Sequence, residues 1–177
     1  MTDYHSIYAE IDKIIEQVNR EIFSFSKFDG DSCSWKRIEL PSDFEYLIAS
    51  VANLLNEDNP TICLDFADIV TVCHLDLNTK TCKNGHIELL EVSCTKHNIS
   101  IFENALKQLP NYLHALLYVT GDISLVEFTN MKELIENHAM FDANILFGAK
   151  IQKHIVNRYK IQLLCYIPDS FPKNYGN

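Results

Sequence analysis

Two aspartates three residues apart, Asp65 and Asp68 in Cys63-Leu64-Asp65-Phe66-Ala67-Asp68-Ile69-Val70-Thr71-Val72, are the sharpest pair of chemistry-bearing residues in the chain. Phe66, Ile69, Val70 and Cys73 mark a helical face that begins at or near Asp65, which places both carboxylates on one first turn. An Asp at a helix cap and another in the first turn accept orphan amide hydrogens and complement the helix dipole, and this capping role is the plainer reading. The alternative is functional: two carboxylates so placed orient a water or a cation against a ligand brought from outside.

Cys73, His74, Cys82, His86, Cys94 and His97 are dense enough in soft and borderline ligands to suggest zinc. Their spacings are irregular, with neither Cys-x-x-Cys nor His-x-x-His, so no metal site is expected. Cys94 and His97 would make a nucleophile and base only with a third, orienting group, and none is indicated. No serine stands in Gly-x-Ser-x-Gly and no HExxH occurs. The five glycines are all isolated, so no loop can cradle a phosphate; the expectation is a chain that is not a self-sufficient nucleotide hydrolase and holds no cofactor. Gly121 in Thr120-Gly121-Asp122 reads as a turn between strand and helix. Gly148 in Ile145-Leu146-Phe147-Gly148-Ala149 reads as a strand glycine that marks a bulge or the close approach of another backbone.

Helices and strands must position these residues. Residues 6–22 carry Ile7, Ile11, Ile14, Ile15, Val18 and Ile22 at helical spacing, and Phe23, Phe25 and Phe28 follow before Asp29-Gly30-Asp31-Ser32 turns the chain. A second helix opens at Pro41-Ser42, with Ser42 and Glu45 as a capping box and Phe44, Leu47, Ile48, Val51, Leu54 and Leu55 on its apolar face. The segment 64–77 reads as a third helix. From Gly85 the pattern changes to strands at 86–94, 112–119, 143–151 and 159–167, with helices at about 100–109 and 124–138 capped by Ser100 with Glu103 and Ser124 with Glu127. Three helices, then strand, helix, strand, helix, strand, strand, predict an α/β (α+β) unit with a four-stranded mixed sheet packed against helices and the last two strands antiparallel to each other. The organisation expected is an N-terminal helical extension over 1–40 and one domain over 41–177.

With 24 acidic against 15 basic residues the chain carries −9, which repels phosphate backbones and argues against nucleic-acid or anionic-membrane binding. Lys150, Lys153, His154, Arg158 and Lys160 form only a loose basic cluster. No run approaches the length of a membrane span, and the first 22 residues are periodic and acidic rather than a basic leader, so the chain reads as cytoplasmic. Six cysteines in a chain able to build its own core read as reduced thiols, mostly buried.

The segment words, taken in order, resemble the cell-division protein FtsZ of bacteria, in the tubulin/FtsZ family, over roughly residues 42–167 and only in its C-terminal domain. Residues 64–72 resemble the end of the family's synergy loop and the helix after it. Tyr118-Val119-Thr120-Gly121 resembles the strand end written Asn-Ile-Thr-Gly there, Asp142-Ala143-Asn144-Ile145-Leu146-Phe147-Gly148 resembles a late strand, and 160–167 fits the closing one. The resemblance implies a domain whose GTPase needs two halves: a nucleotide-binding domain, absent here, and acidic residues from the next protomer, to which Asp65 and Asp68 correspond. Where the family usually has asparagine two residues before the first of these, this chain has Cys63. The function so implied is a non-catalytic assembly module that self-associates or docks on a tubulin-like or FtsZ partner. The alternatives are a subunit of a hetero-complex whose partner supplies the nucleotide-binding domain, or a small ligand-binding or enzymatic α/β domain with a relocated site, for which a cleft lined by His74, His86 and His97 is the feature to seek.

Overall fold

The computed structural model describes residues 4–22, 30–52, 64–152 and 156–170, and within the first helix the side chains of residues 7–17. Its elements in chain order are α1 (Tyr4–Ile22), β1 (Ser32–Ile38), α2 (Phe44–Val51), α3 (Phe66–Val72), β2 (Leu75–Asp76), β3 (Thr81–Cys82), β4 (Gly85–Thr95), α4 (Ser100–Leu106), β5 (His114–Gly121), α5 (Leu125–His138), β6 (Asn144–Ile151) and β7 (Arg158–Pro168).

β5 and β7 are close to continuous apolar runs because both of their faces are covered, as the interior strands of a three-layer fold require. On one face Ala115, Leu117, Val119, Ile161, Leu163 and Cys165 meet Phe102 of α4 and Phe128, Met131 and Ile135 of α5. On the other, Leu116, Tyr118 and Leu164 meet Phe44, Leu47 and Ile48 of α2, Ile69 and Val72 of α3, and Ile11 of α1. The architecture is therefore a mixed sheet between two helical layers.

The sheet has five strands in the order β1-β4-β7-β5-β6, one more than the four expected. The added strand, β1, was passed over in the sequence because it is an edge: its residues 32–35 are all exposed, so it lacks an apolar signature. It lies within residues 1–40 yet pairs with β4 along its whole length. A second expectation also fails: β6 and β7 are not an antiparallel pair. β5 sits between them, parallel to β6 and antiparallel to β7. The helix α5 makes this possible, since parallel neighbours need a long crossover and β5-α5-β6 is one.

Two of the four local caps read from the sequence hold. Asp65 caps α3 and Ser124 caps α5, each in a reciprocal box. At α2 the N-cap position falls to Asp43, which makes no side-chain cap bond, while Ser42 Oγ donates to Glu39 O at 2.6 Å. At α4, Ser100 is already inside the helix and Ile99 precedes it. The helix read over 64–77 ends at Val72; His74 follows in the left-handed region (φ 49°) and the chain enters the β2–β3 hairpin.

α1 lies on α2 within the same chain. Ile11 is buried, Ile7, Ile14 and Ile15 are half-buried against the same cluster, the Tyr8 ring meets Phe66 edge-on at 6.1 Å, and Glu10 pairs with Lys80 at 2.7 Å. Phe23, Phe25, Phe28, Leu54 and Leu55 lie outside the described residues.

Candidate functional site

Asp65 takes an extended backbone conformation (φ −117°, ψ 174°) and its Oδ1 accepts from Asp68 N at 2.9 Å; Asp68 Oδ2 accepts from Asp65 N at 2.8 Å. Both carboxylates are thus engaged with each other's backbone amides, as the capping reading anticipates, with Asp65 exposed and Asp68 half-buried at the start of a helix of seven residues. Cys63 lies outside the described residues.

Immediately before this cap, Leu64 packs onto β6 where Gly148 removes a side chain. A Cβ at Gly148 would stand 2.6 Å from Leu64 Cδ1 and 2.6 Å from Tyr118 Cδ2, distances no real carbon pair tolerates. Tyr118 is directly opposite Gly148 in the β5–β6 register. The three segments singled out by their wording, 64–72, 118–121 and 142–148, are therefore in contact, with the glycine as the point where they meet. Gly121 serves a different end: at φ +141°, a Cβ there would collide with Arg158 O, so the glycine lets β5 close on β7.

The histidines do not share a cleft. His74 stacks on Tyr166 (centroids 4.4 Å apart) and on His114 (4.7 Å), covering two residues that are neighbours in the β5–β7 register. Burial, with the nearby His74 second, holds His114 below the ordinary histidine range. His86 lies on β4, where its Nε2 is 3.4 Å from Glu88 Oε1, and Glu88 also accepts from Trp35 Nε1. His97 sits on the 3-10 turn Lys96–Asn98 beyond the other end of β4. The relocated-site expectation therefore loses its three-histidine cleft, because β4 holds His86 and His97 apart by its length.

Four of the described cysteines are packing groups, while Cys33 on β1 is exposed. Burial pushes the Cys73 and Cys165 thiols well above their usual value and those of Cys82 and Cys94 up to about 11. Cys94 is enclosed in the core while His97 is exposed, so they form no nucleophile and base. Among the described residues no three His, Cys, Asp or Glu side chains are grouped to hold a metal ion.

One polar network escaped the sequence reading. At the end of the sheet where β5 runs into α5, Lys96 Nζ is 3.3 Å from both Asp122 Oδ2 and Glu127 Oε2, and Asn157 N donates to Asp122. Desolvation would raise the Glu127 carboxyl, but hydrogen bonds from Tyr159, Ser124 and Lys96 outweigh it and bring Glu127 down to about 2. Its members come from β4's exit turn, α5 and β7, segments remote in sequence, and only the Ser124–Glu127 box was legible. The carboxylates occupy the start of α5 themselves, so this helix end is closed to an anion. Arg158, from the loose basic cluster, is likewise committed, to Gly30 O and Asp31; Lys153 and His154 lie outside the described residues.

The class defined by this geometry is a mixed-sheet α/β module whose most distinctive surface feature is an acidic helix start set on a strand glycine. No family model and no curated protein matches the chain. Solved structures do resemble it. An FtsZ dimer from M. jannaschii is 17% identical over 90% of this chain and 50% of that one, with a TM-score of 0.47. CetZ2 from Haloferax volcanii is 11% identical over 70% and 36%, at 0.40, and TubZ of Bacillus thuringiensis serovar israelensis is 12% identical over 74% and 36%, at 0.44. The chain spans half or less of the length of each, and the matches do not single out bacterial FtsZ. Among the described residues no helix is long and apolar enough to cross a membrane.

Proposed function

We propose that this chain is a non-catalytic assembly module of the tubulin/FtsZ type, which self-associates or docks on a partner of that type through the exposed end of α3 that carries Asp65 and Asp68. The observation that supports this most is the convergence of the three worded segments on Gly148: motifs far apart in sequence meet in one buried contact, from which the acidic turn at Asp65 leads out. A module presenting only this face adds to one end of a filament and offers no nucleotide face for further growth.

The experiment is co-sedimentation with a polymerising FtsZ. The expected result is altered filament length or turnover at stoichiometric addition, reduced by Asp68→Asn at unchanged melting temperature. Filaments indifferent to the protein, or an Asp68→Asn variant that loses stability but no association, would leave Asp65 and Asp68 as caps alone.

A further inference from the structure

We infer that the outer edge of β1 is a self-association surface, on which the β1 strand of a second copy of this chain pairs antiparallel about Trp35 and joins two five-stranded sheets into one. The surface is separate from the Asp65 and Asp68 end of α3, so the inference stands apart from the docking reading above.

Among the described residues β1 pairs on one side only, with β4, from Ser32 opposite Ser93 to Ile38 opposite Ile87. A strand so placed offers its other row of N–H and C=O groups to any extended chain. Ser32, Cys33, Ser34, Trp35 and Arg37 are exposed. Trp35 keeps 40% of its surface open although its indole N–H is anchored on Glu88, so a large aromatic is held in place at the edge before any partner arrives.

Proteins blunt such edges with proline, bulges or bare charges. β1 contains no proline, and each of its two charges is held in an ion pair within its own chain: Lys36 Nζ is 3.2 Å from Asp43 Oδ2 and 3.7 Å from the Tyr46 ring centroid, and Arg37 Nε is 3.2 Å from Glu39 Oε1.

The occupant follows from how the strand matches itself. Pairing about Trp35 sets Lys36 opposite Ser34 of the second copy, Arg37 opposite its Cys33 and the two indoles opposite each other, so the basic half of each strand meets an uncharged half. Centring one residue later would set Lys36 against Lys36, and like charges directly opposite are destabilising. Centring one residue earlier would set Arg37 against Asp31, whose carboxylate already serves Thr95 N, Asn98 and Arg158. The two-fold pairing is closed and stops at a dimer.

The test is sedimentation velocity on the full chain over a range of concentrations, with two variants at exposed Ser34. The expected species has twice the 20.4 kDa chain mass and dissociates on dilution. Ser34→Lys should weaken it about three- to tenfold by facing Lys36 of the second copy, and Ser34→Glu should strengthen it. Within one chain Ser34 lies opposite Glu91, so the two variants should move fold stability in the opposite sense, which separates dimer effects from folding effects. Arg37→Cys should cross-link rapidly on mild oxidation, because directly opposite residues have Cα atoms about 4.5 to 5.5 Å apart, within disulfide reach. Adding Cys33→Ser should abolish that cross-link. A monomer at every concentration, or a dimer indifferent to both Ser34 variants and without the cross-link, would overturn the inference.

Discussion

Asp65 and Asp68 show how a functional reading and a structural one can rest on the same atoms: the reciprocal bonds of 2.8 and 2.9 Å are what a helix start demands, and they also fix both carboxylates at the surface. Glu127 makes a sharper residue-scale prediction. Its carboxyl has an ordinary value of 4.5 and lies at about 2 in the fold, so it contributes stability that is fully present above about 4.5 and is lost as pH falls through about 2. Thermal melts of Glu127→Gln between pH 7 and 2 should start lower than the unmodified chain and converge on it in acid; parallel curves would refute the assignment. Gly148→Ala should destabilise by about 1 to 3 kcal/mol through overpacking, since its new methyl meets Leu64 and Tyr118 at 2.6 Å. Chemical denaturation measures this, and a neutral result would mean that Leu64 can leave β6 freely.

α1 is the element whose role is most open to direct trial. One side of it, centred on Ile11, completes a layer whose other members are α2 and α3, and full burial of an isoleucine contributes about 2 kcal/mol. Deleting residues 1–28 should uncover apolar surface on α2, and the shortened protein is expected to bind a hydrophobic dye and aggregate or melt earlier. A soluble deletion variant with an unchanged melting temperature would show that α1 is ornamental. β1 belongs to the same scale: as an edge with Ser32, Cys33, Ser34, Trp35 and Arg37 exposed it adds little apolar burial, yet it decides which strand faces solvent.

A net charge of −9, isolated glycines and an α5 start occupied by its own carboxylates are the grounds for expecting weak affinity for a triphosphate, which needs several convergent amides or cations. Calorimetry with GTP and magnesium is expected to show no binding in the micromolar range; one-to-one micromolar binding would reverse the non-catalytic reading. Two helical layers on a five-stranded mixed sheet make a unit with its own double-sided core.

Local features were legible in the sequence because their causes are local. Periodicity at 3.6 and 2 located α1, α5, β4 and β7 to within a few residues, and the spacing of Asp65 to Asp68 and of Ser124 to Glu127 marked two helix starts whose bonds span three positions. Ser42 and Ser100 carry the same spacing without the bond, because a cap also depends on where the preceding chain comes from. Strand order, the insertion of β5 between β6 and β7, the edge strand β1, the His74–Tyr166 stack and the Lys96–Asp122–Glu127 network were settled only in three dimensions. Each joins residues with no fixed separation along the chain, and the choice among their pairings is made by burying both faces of one sheet at once, a condition that no single segment carries.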